Sequence, residues 1–120
     1  MQPSLRIEIF PADLDRTVRF YERLGFHLIG RNDGPPRYAS LRYGDVRVGA
    51  AEAPAVDPQR RAYPAGTEIV IEVDDVVRER DRIAGAGLPL LEDRQHRPWG
   101  LQDFRLSDPD GYYFRFTSRS

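Results

Sequence analysis

The chain repeats itself. Sliding it so that residue 7 falls on residue 69 superposes IEIFPADLDRTVRFYERLGFHLI on IVIEVDDVVRERDRIAGAGLPLL. Ile7 then meets Ile69, Ile9 meets Ile71, Asp13 meets Asp75, Leu14 meets Val76, Gly25 meets Gly87 and Leu28 meets Leu90. Such self-similarity marks two copies of one supersecondary unit, each too small to bury much core alone. Between the copies lies EAPAVDPQRRAYPAG, whose Pro54, Pro58 and Pro64 disfavour both helix and sheet interior. The sequence therefore predicts a module over 1–51, a linker over 52–66 and a second module over 67–120.

Each copy opens with an apolar strand, over 5–10 and 67–73. An acid suited to a helix N-cap follows, Asp13 or Asp75, and then a helix that ends near Gly25 or Gly87. In the first helix Leu14, Val18 and Tyr21 recur at helical spacing, with Phe20 and Leu24 widening the stripe, so one face can cover a sheet. The second helix carries Arg78, Glu79, Arg80, Asp81 and Arg82 as a solvated face and leaves Val76, Ile83 and Ala84 to pack. Three strand-like runs follow each helix: FHLIGR, RYASLRY and DVRVGA, then LPLLEDR, LQDFRLS and YYFRFTS. YGD at 43–45 and DPDG at 108–111 punctuate hairpins. The expected fold class is α+β, two tandem βαβββ modules, each a sheet with a helix on one face. The free sheet faces would line a curved groove.

Composition narrows what such a groove can do. The 18 cations are all arginine and balance 19 acids to a net charge of −1, so no basic field for nucleic acid arises. Without lysine there is no Schiff-base chemistry, and without cysteine there are no disulfides, thiol nucleophiles or thiolate metal sites. That usage fits a reducing cytoplasm, and no signal peptide or run of ~18 apolar residues points to export or a membrane. Only His27 and His96 are available for imidazole chemistry. His27 opens a strand and reads as a surface or packing residue. His96 lies on a predicted loop beside Arg97 and Trp99, either as a proton shuttle or as an ordinary exposed histidine.

Strand alternation assigns the groove-facing side chains. Ile7 and Ile9 turn toward the helix, so Arg6, Glu8 and Phe10 face the other way. By the same parity Glu68, Val70 and Glu72, then Tyr113, Arg115 and Thr117, and finally Arg47 and Gly49 line the free faces. No Ser-His-Asp arrangement or phosphate-binding glycine loop is present, and the DPDG segment lacks the spaced acids of a calcium loop.

ADLDRTVRFYERLGF at 12–26, the echo EIVIEVDDV at 68–76 and RPWGLQDFRLSDPDGYYFRF at 97–116 together resemble the vicinal oxygen chelate superfamily. That superfamily spans glyoxalase I, extradiol dioxygenases, thiol-transferase fosfomycin-resistance enzymes and bleomycin-resistance binding proteins. PWG followed by DPDG and an aromatic strand is similar to the bleomycin-resistance branch. The resemblance implies metal ligands on the groove face of the first, fourth, fifth and eighth strands in the family's enzymes. Here those positions hold Arg6, then Arg47 or Gly49, then Glu68, and Arg115. Guanidiniums only donate hydrogen bonds and stay charged, so this set does not suit a divalent cation. The expectation is no metal, no cofactor and no catalytic residue.

The resemblance also implies that Trp99, in its Pro-Trp-Gly turn, stacks on a planar ligand; packing beneath a loop is the other reading. Tyr38, Phe104 and Tyr113 are further candidates for that wall. Arg6, Glu8, Arg47, Glu68 and Arg115 either satisfy one another as an internal ion network or leave a guanidinium free for an anion, which makes an anionic or neutral aromatic ligand fit better than a cationic drug. The leading expectation is a metal-free protein that sequesters a small planar or aromatic molecule, as a cytoplasmic homodimer. The alternatives are a metal-dependent lyase, dioxygenase or glutathione-type transferase, and an accessory module that binds a protein partner.

Overall fold

The computed structural model describes residues 3–55 and 67–119. The chain divides into two compact units, Met1–Pro58 and Gln59–Ser120. The first runs β1 (Ile7–Ile9), α1 (Leu14–Leu24), β2 (His27–Asn32), β3 (Tyr38–Tyr43), β4 (Val46–Ala51). The second repeats the pattern with β5 (Ile69–Val73), α2 (Val76–Gly85), β6 (Glu92–His96), β7 (Gln102–Ser107), β8 (Tyr113–Ser118). The predicted βαβββ unit is thus present twice, and the fold class is α+β.

Both sheets have one order. β4 lies between β1 and β3, with β2 on the far edge, and β8 lies between β5 and β7, with β6 on the far edge. β1 runs parallel to β4 and β5 parallel to β8, while the remaining neighbours are antiparallel. The helix supplies the crossover that a parallel pair requires.

Asp13 and Asp75 start the helices as expected, accepting from the backbone N–H of Arg16 at 3.2 Å and of Arg78 at 3.0 Å. Helix α1 buries Leu14, Thr17, Val18, Tyr21 and Leu24, whereas α2 buries only Val76 and Ile83 and turns its arginines outward. In the first unit Ile9, Ala39, Leu41, Val48 and Ala50 complete the core; in the second, Ile69, Ile71, Phe104, Leu106, Phe114 and Phe116 do.

Two boundaries differ from expectation. The run LPLL at 88–91 is not strand: the Leu88 N–H closes the helix end on Ile83 at 3.3 Å, and Pro89 has no N–H to give a ladder. Residues 52 and 53 belong to the first unit and not to a linker. The Glu52 N–H donates to Arg37 at 2.9 Å and that of Ala53 to Pro11 at 2.7 Å. The Glu52 carboxylate accepts from the Leu14 N–H at 2.9 Å and from Arg37 at 3.1 Å, so it satisfies a free donor at the start of α1. Residues 56–66 of the predicted linker lie outside the described residues.

Candidate functional site

Each unit leaves one sheet face uncovered by its helix, and the two faces carry different chemistry. In the first unit register puts Glu8 opposite Gly49 and Gly49 opposite Ser40, with Tyr38 two pairs along, opposite Ala51. A Cβ on Gly49 would stand 2.0 Å from both Glu8 Oε2 and the Tyr38 hydroxyl. The absent side chain therefore lets Tyr38 reach across β4 to Glu8, donating to its two oxygens at 3.0 and 3.1 Å. Burial, and then the Glu8 carboxylate, push the Tyr38 phenol above its ordinary pKa. Arg6 Nε closes the group, 3.0 Å from Glu8 Oε2. Arg47 is elsewhere: its guanidinium donates to the Ser4 hydroxyl at 3.1 Å and the Leu5 carbonyl at 3.2 Å, tying down the segment that leads into β1.

On the second unit's open face, charges alternate in a chain. Glu92 accepts from Arg97, whose Nε and Nη2 both donate to Asp103 Oδ1 at 2.9 and 2.7 Å. Asp103 Oδ2 faces Arg115 Nη1 at 3.9 Å, and Arg115 Nε donates to Glu68 Oε1 at 3.0 Å. Glu68 Oε2 lies 3.8 Å from Arg105 Nη1, which also donates to the Tyr113 hydroxyl at 3.0 Å. Asp103 is fully buried. A carboxylate so desolvated requires the guanidiniums on either side of it. Arg6 and Arg115 are thus held by carboxylates of their own unit, the arrangement of an internal ion network.

Trp99 stands at the tip of the β6–β7 hairpin, 62% exposed. Pro98 presets the turn, the Gly100 N–H donates to the Arg97 carbonyl at 3.0 Å, and Gly100 takes the left-handed φ of 90° that such a hairpin needs before its strand resumes. The reading of Trp99 as packed beneath a loop is thereby excluded within its own unit.

Phe104 must be corrected. It faces the helix and is fully buried, its ring stacked on Phe116 with centroids 5.1 Å apart and planes 8° from parallel. Phe104 and Leu106 alternate with Asp103 and Arg105, so Phe104 is core and lines no open face. His96 is also not on a loop; it ends β6, pairs with Gln102 and is exposed, while His27 opens β2 on the surface.

The structure thus gathers Arg6, Glu8 and Tyr38 on one face and Glu68, Arg115 and Tyr113 on the other; Arg47 shares the strand parity of Gly49 but is tied to Ser4 and Leu5, and Phe104 belongs to the core. Arg97, Asp103 and Glu92 were missed by sequence reasoning. Parity alone puts Asp103 on the same face as Arg115, although register sets it opposite Thr117, and the register shift between Glu92 and Gln95 conceals the partners on β6. The metal positions implied by the family resemblance do not fit a cation: Glu68 is engaged by Arg115, Arg6 and Arg115 only donate, Arg47 is tied to the N-terminal segment and Gly49 has no ligand atom. Among the described residues no group of three His, Cys, Asp or Glu side chains could hold a metal ion. No helix there is long and apolar enough to cross a membrane.

A bleomycin resistance protein from Klebsiella pneumoniae is 27% identical over 110 residues, 86% of this chain and 82% of the relative. A bleomycin-binding protein solved in complex with bleomycin superposes with a TM-score of 0.79 at 23% identity, over 99% of this chain and 100% of that one, a likeness of fold alone. TioX from Micromonospora sp. ML1 gives a TM-score of 0.79 at 25% identity, again over 99% and 100% of the two chains. The family model described as the Glyoxalase/Bleomycin resistance protein/Dioxygenase superfamily matches residues 5–116, and with both βαβββ units in place the chain belongs to that superfamily.

Proposed function

We propose that this protein sequesters a small planar or aromatic molecule without a metal and without chemical change to it. The observation that carries this reading is Trp99, an exposed indole presented on a closed hairpin turn. An exposed tryptophan costs apolar hydration and is suited to stacking on a flat ring, with or without a positive charge on that ring. In the same unit as Trp99, the open face with Glu68, Arg115 and Tyr113 supplies hydrogen-bonding partners for the rest of the ligand. On that face Arg115 is paired with Glu68, and Arg97 with Asp103 and Glu92, so charge does not bar a cationic drug such as bleomycin, and bleomycin is the first ligand to try.

The protein acts as a cytoplasmic homodimer in this reading. Each sheet has open edges and each unit a small core, which pairing would complete. The test uses the only tryptophan as its own reporter. Addition of metal-free bleomycin should quench Trp99 emission saturably in the micromolar range or below, and unchanged emission at millimolar drug would refute stacking.

A further inference from the structure

Trp99 is exposed, yet its turn is anchored from below. Arg97 is the first residue of that turn. Its N–H donates to the Leu101 carbonyl at 2.7 Å and its carbonyl accepts from Gly100 at 3.0 Å. The guanidinium of the same residue bends back beneath the hairpin to Asp103 and Glu92. Asp103 is fully buried, and among the described residues its second oxygen has no hydrogen bond. It holds Arg97 in one rotamer, because releasing it would strand a desolvated carboxylate. The backbone ladder alone is a weak restraint here: β6 is an edge strand paired only with β7, and its register shifts between Glu92 and Gln95.

We propose that Arg97, clamped by Asp103, is a positioning residue that holds Trp99 as a rigid plate before any ligand arrives. A plate ordered in advance spares the ligand the entropy of immobilising it, which amounts to about three- to tenfold in Kd. That effect on affinity rests on the stacking role proposed above for Trp99; the rigidity is a property of the ligand-free protein.

The experiment is nitrogen-15 relaxation of the Trp99 and Gly100 backbone amides in the full chain, for wild type, Arg97→Gln, Arg97→Lys and Asp103→Asn. The order parameter at Trp99 should be about 0.85 in wild type, fall below about 0.6 in Arg97→Gln and recover in part in Arg97→Lys, with β8 amides unchanged. Should Arg97→Gln fold poorly, Arg97→Lys and Asp103→Asn are read in the same way. A Trp99 amide already mobile in wild type, or equally rigid in every folded variant, would overturn the proposal. Bleomycin titration separates the two claims. Loosening of Trp99 with no change in affinity supports the clamp and defeats the stacking role, whereas weaker affinity with Trp99 still rigid defeats the clamp alone.

Discussion

Two ion pairs of equal length should differ severalfold in energy because of where they sit. Arg6 and Glu8 are 3.0 Å apart with side chains 55% and 37% exposed, and Arg115 and Glu68 are also 3.0 Å apart but only 24% and 25% exposed. Water and salt screen the first pair, so its coupling should be at most about 0.5 kcal/mol. A charge-assisted hydrogen bond in a sheltered setting contributes about 1.5–3 kcal/mol. Losing Arg115 also removes the cation 3.9 Å from buried Asp103. The full cost of ~3–5 kcal/mol for breaking a buried pair is not reached, since Arg97 and Arg105 still neutralise the two carboxylates. A coupling of about 2 kcal/mol is therefore expected for Arg115 with Glu68.

Urea denaturation of two double-mutant cycles measures both numbers: Arg115→Met with Glu68→Gln, and Arg6→Met with Glu8→Gln. Arg115→Met alone should lower the melting temperature by about 5–10 °C. Raising salt to half molar should erase the Arg6–Glu8 coupling and leave most of the other. Equal couplings, or a larger one for Arg6 with Glu8, would refute the argument from burial.

Phe104→Ala should destabilise by about 3–5 kcal/mol in thermal or urea unfolding, as for any large core side chain, and should not be read as a binding variant. Gly49→Ala places a methyl group where Glu8 and Tyr38 meet. Both are side-chain ends that can swing aside, so the fold should survive at a cost of about 1 kcal/mol, with Tyr38 titrating lower than in wild type by NMR. Asp93 is gripped by Arg80 through two 2.8 Å bonds, which hold its carboxyl down at about 2, below the ordinary 3.8. A depressed carboxyl stabilises the fold above its ordinary pKa and loses that contribution as pH falls through 3.8 toward about 2. Asp93→Asn should flatten the acid limb of a stability–pH curve in that window, and an unchanged limb would contradict the pairing.

The modules were legible in the sequence because repetition is a global signal that survives weak local propensity. Open-face membership was legible for Glu8, Glu68, Tyr113 and Arg115 because parity within a strand is local: a residue next to an inward isoleucine or phenylalanine points outward. What parity omits is register between strands. Nothing local says that β4 lies between β1 and β3, and that placement sets Gly49 under the Glu8–Tyr38 bond. Glu52 at the start of α1 joins residues 38 apart in sequence, so it read as linker. Arg97 and Asp103 escaped notice for a related reason, because the irregularity in β6 moves the partners off simple alternation. Phe104 differs: an aromatic side chain suits a core and an open face equally, and only its alternation with Leu106 as an inward residue tells the two apart.

The most direct test of metal-free sequestration by an aromatic plate is calorimetric titration of metal-free bleomycin into chelator-stripped protein, at low and moderate salt, with Trp99→Ala alongside. The account predicts binding at micromolar affinity or tighter in the stripped protein, weakened by at least about tenfold in Trp99→Ala. Binding that appears only after a divalent metal is restored to the protein, or that is indifferent to the loss of Trp99, would contradict it.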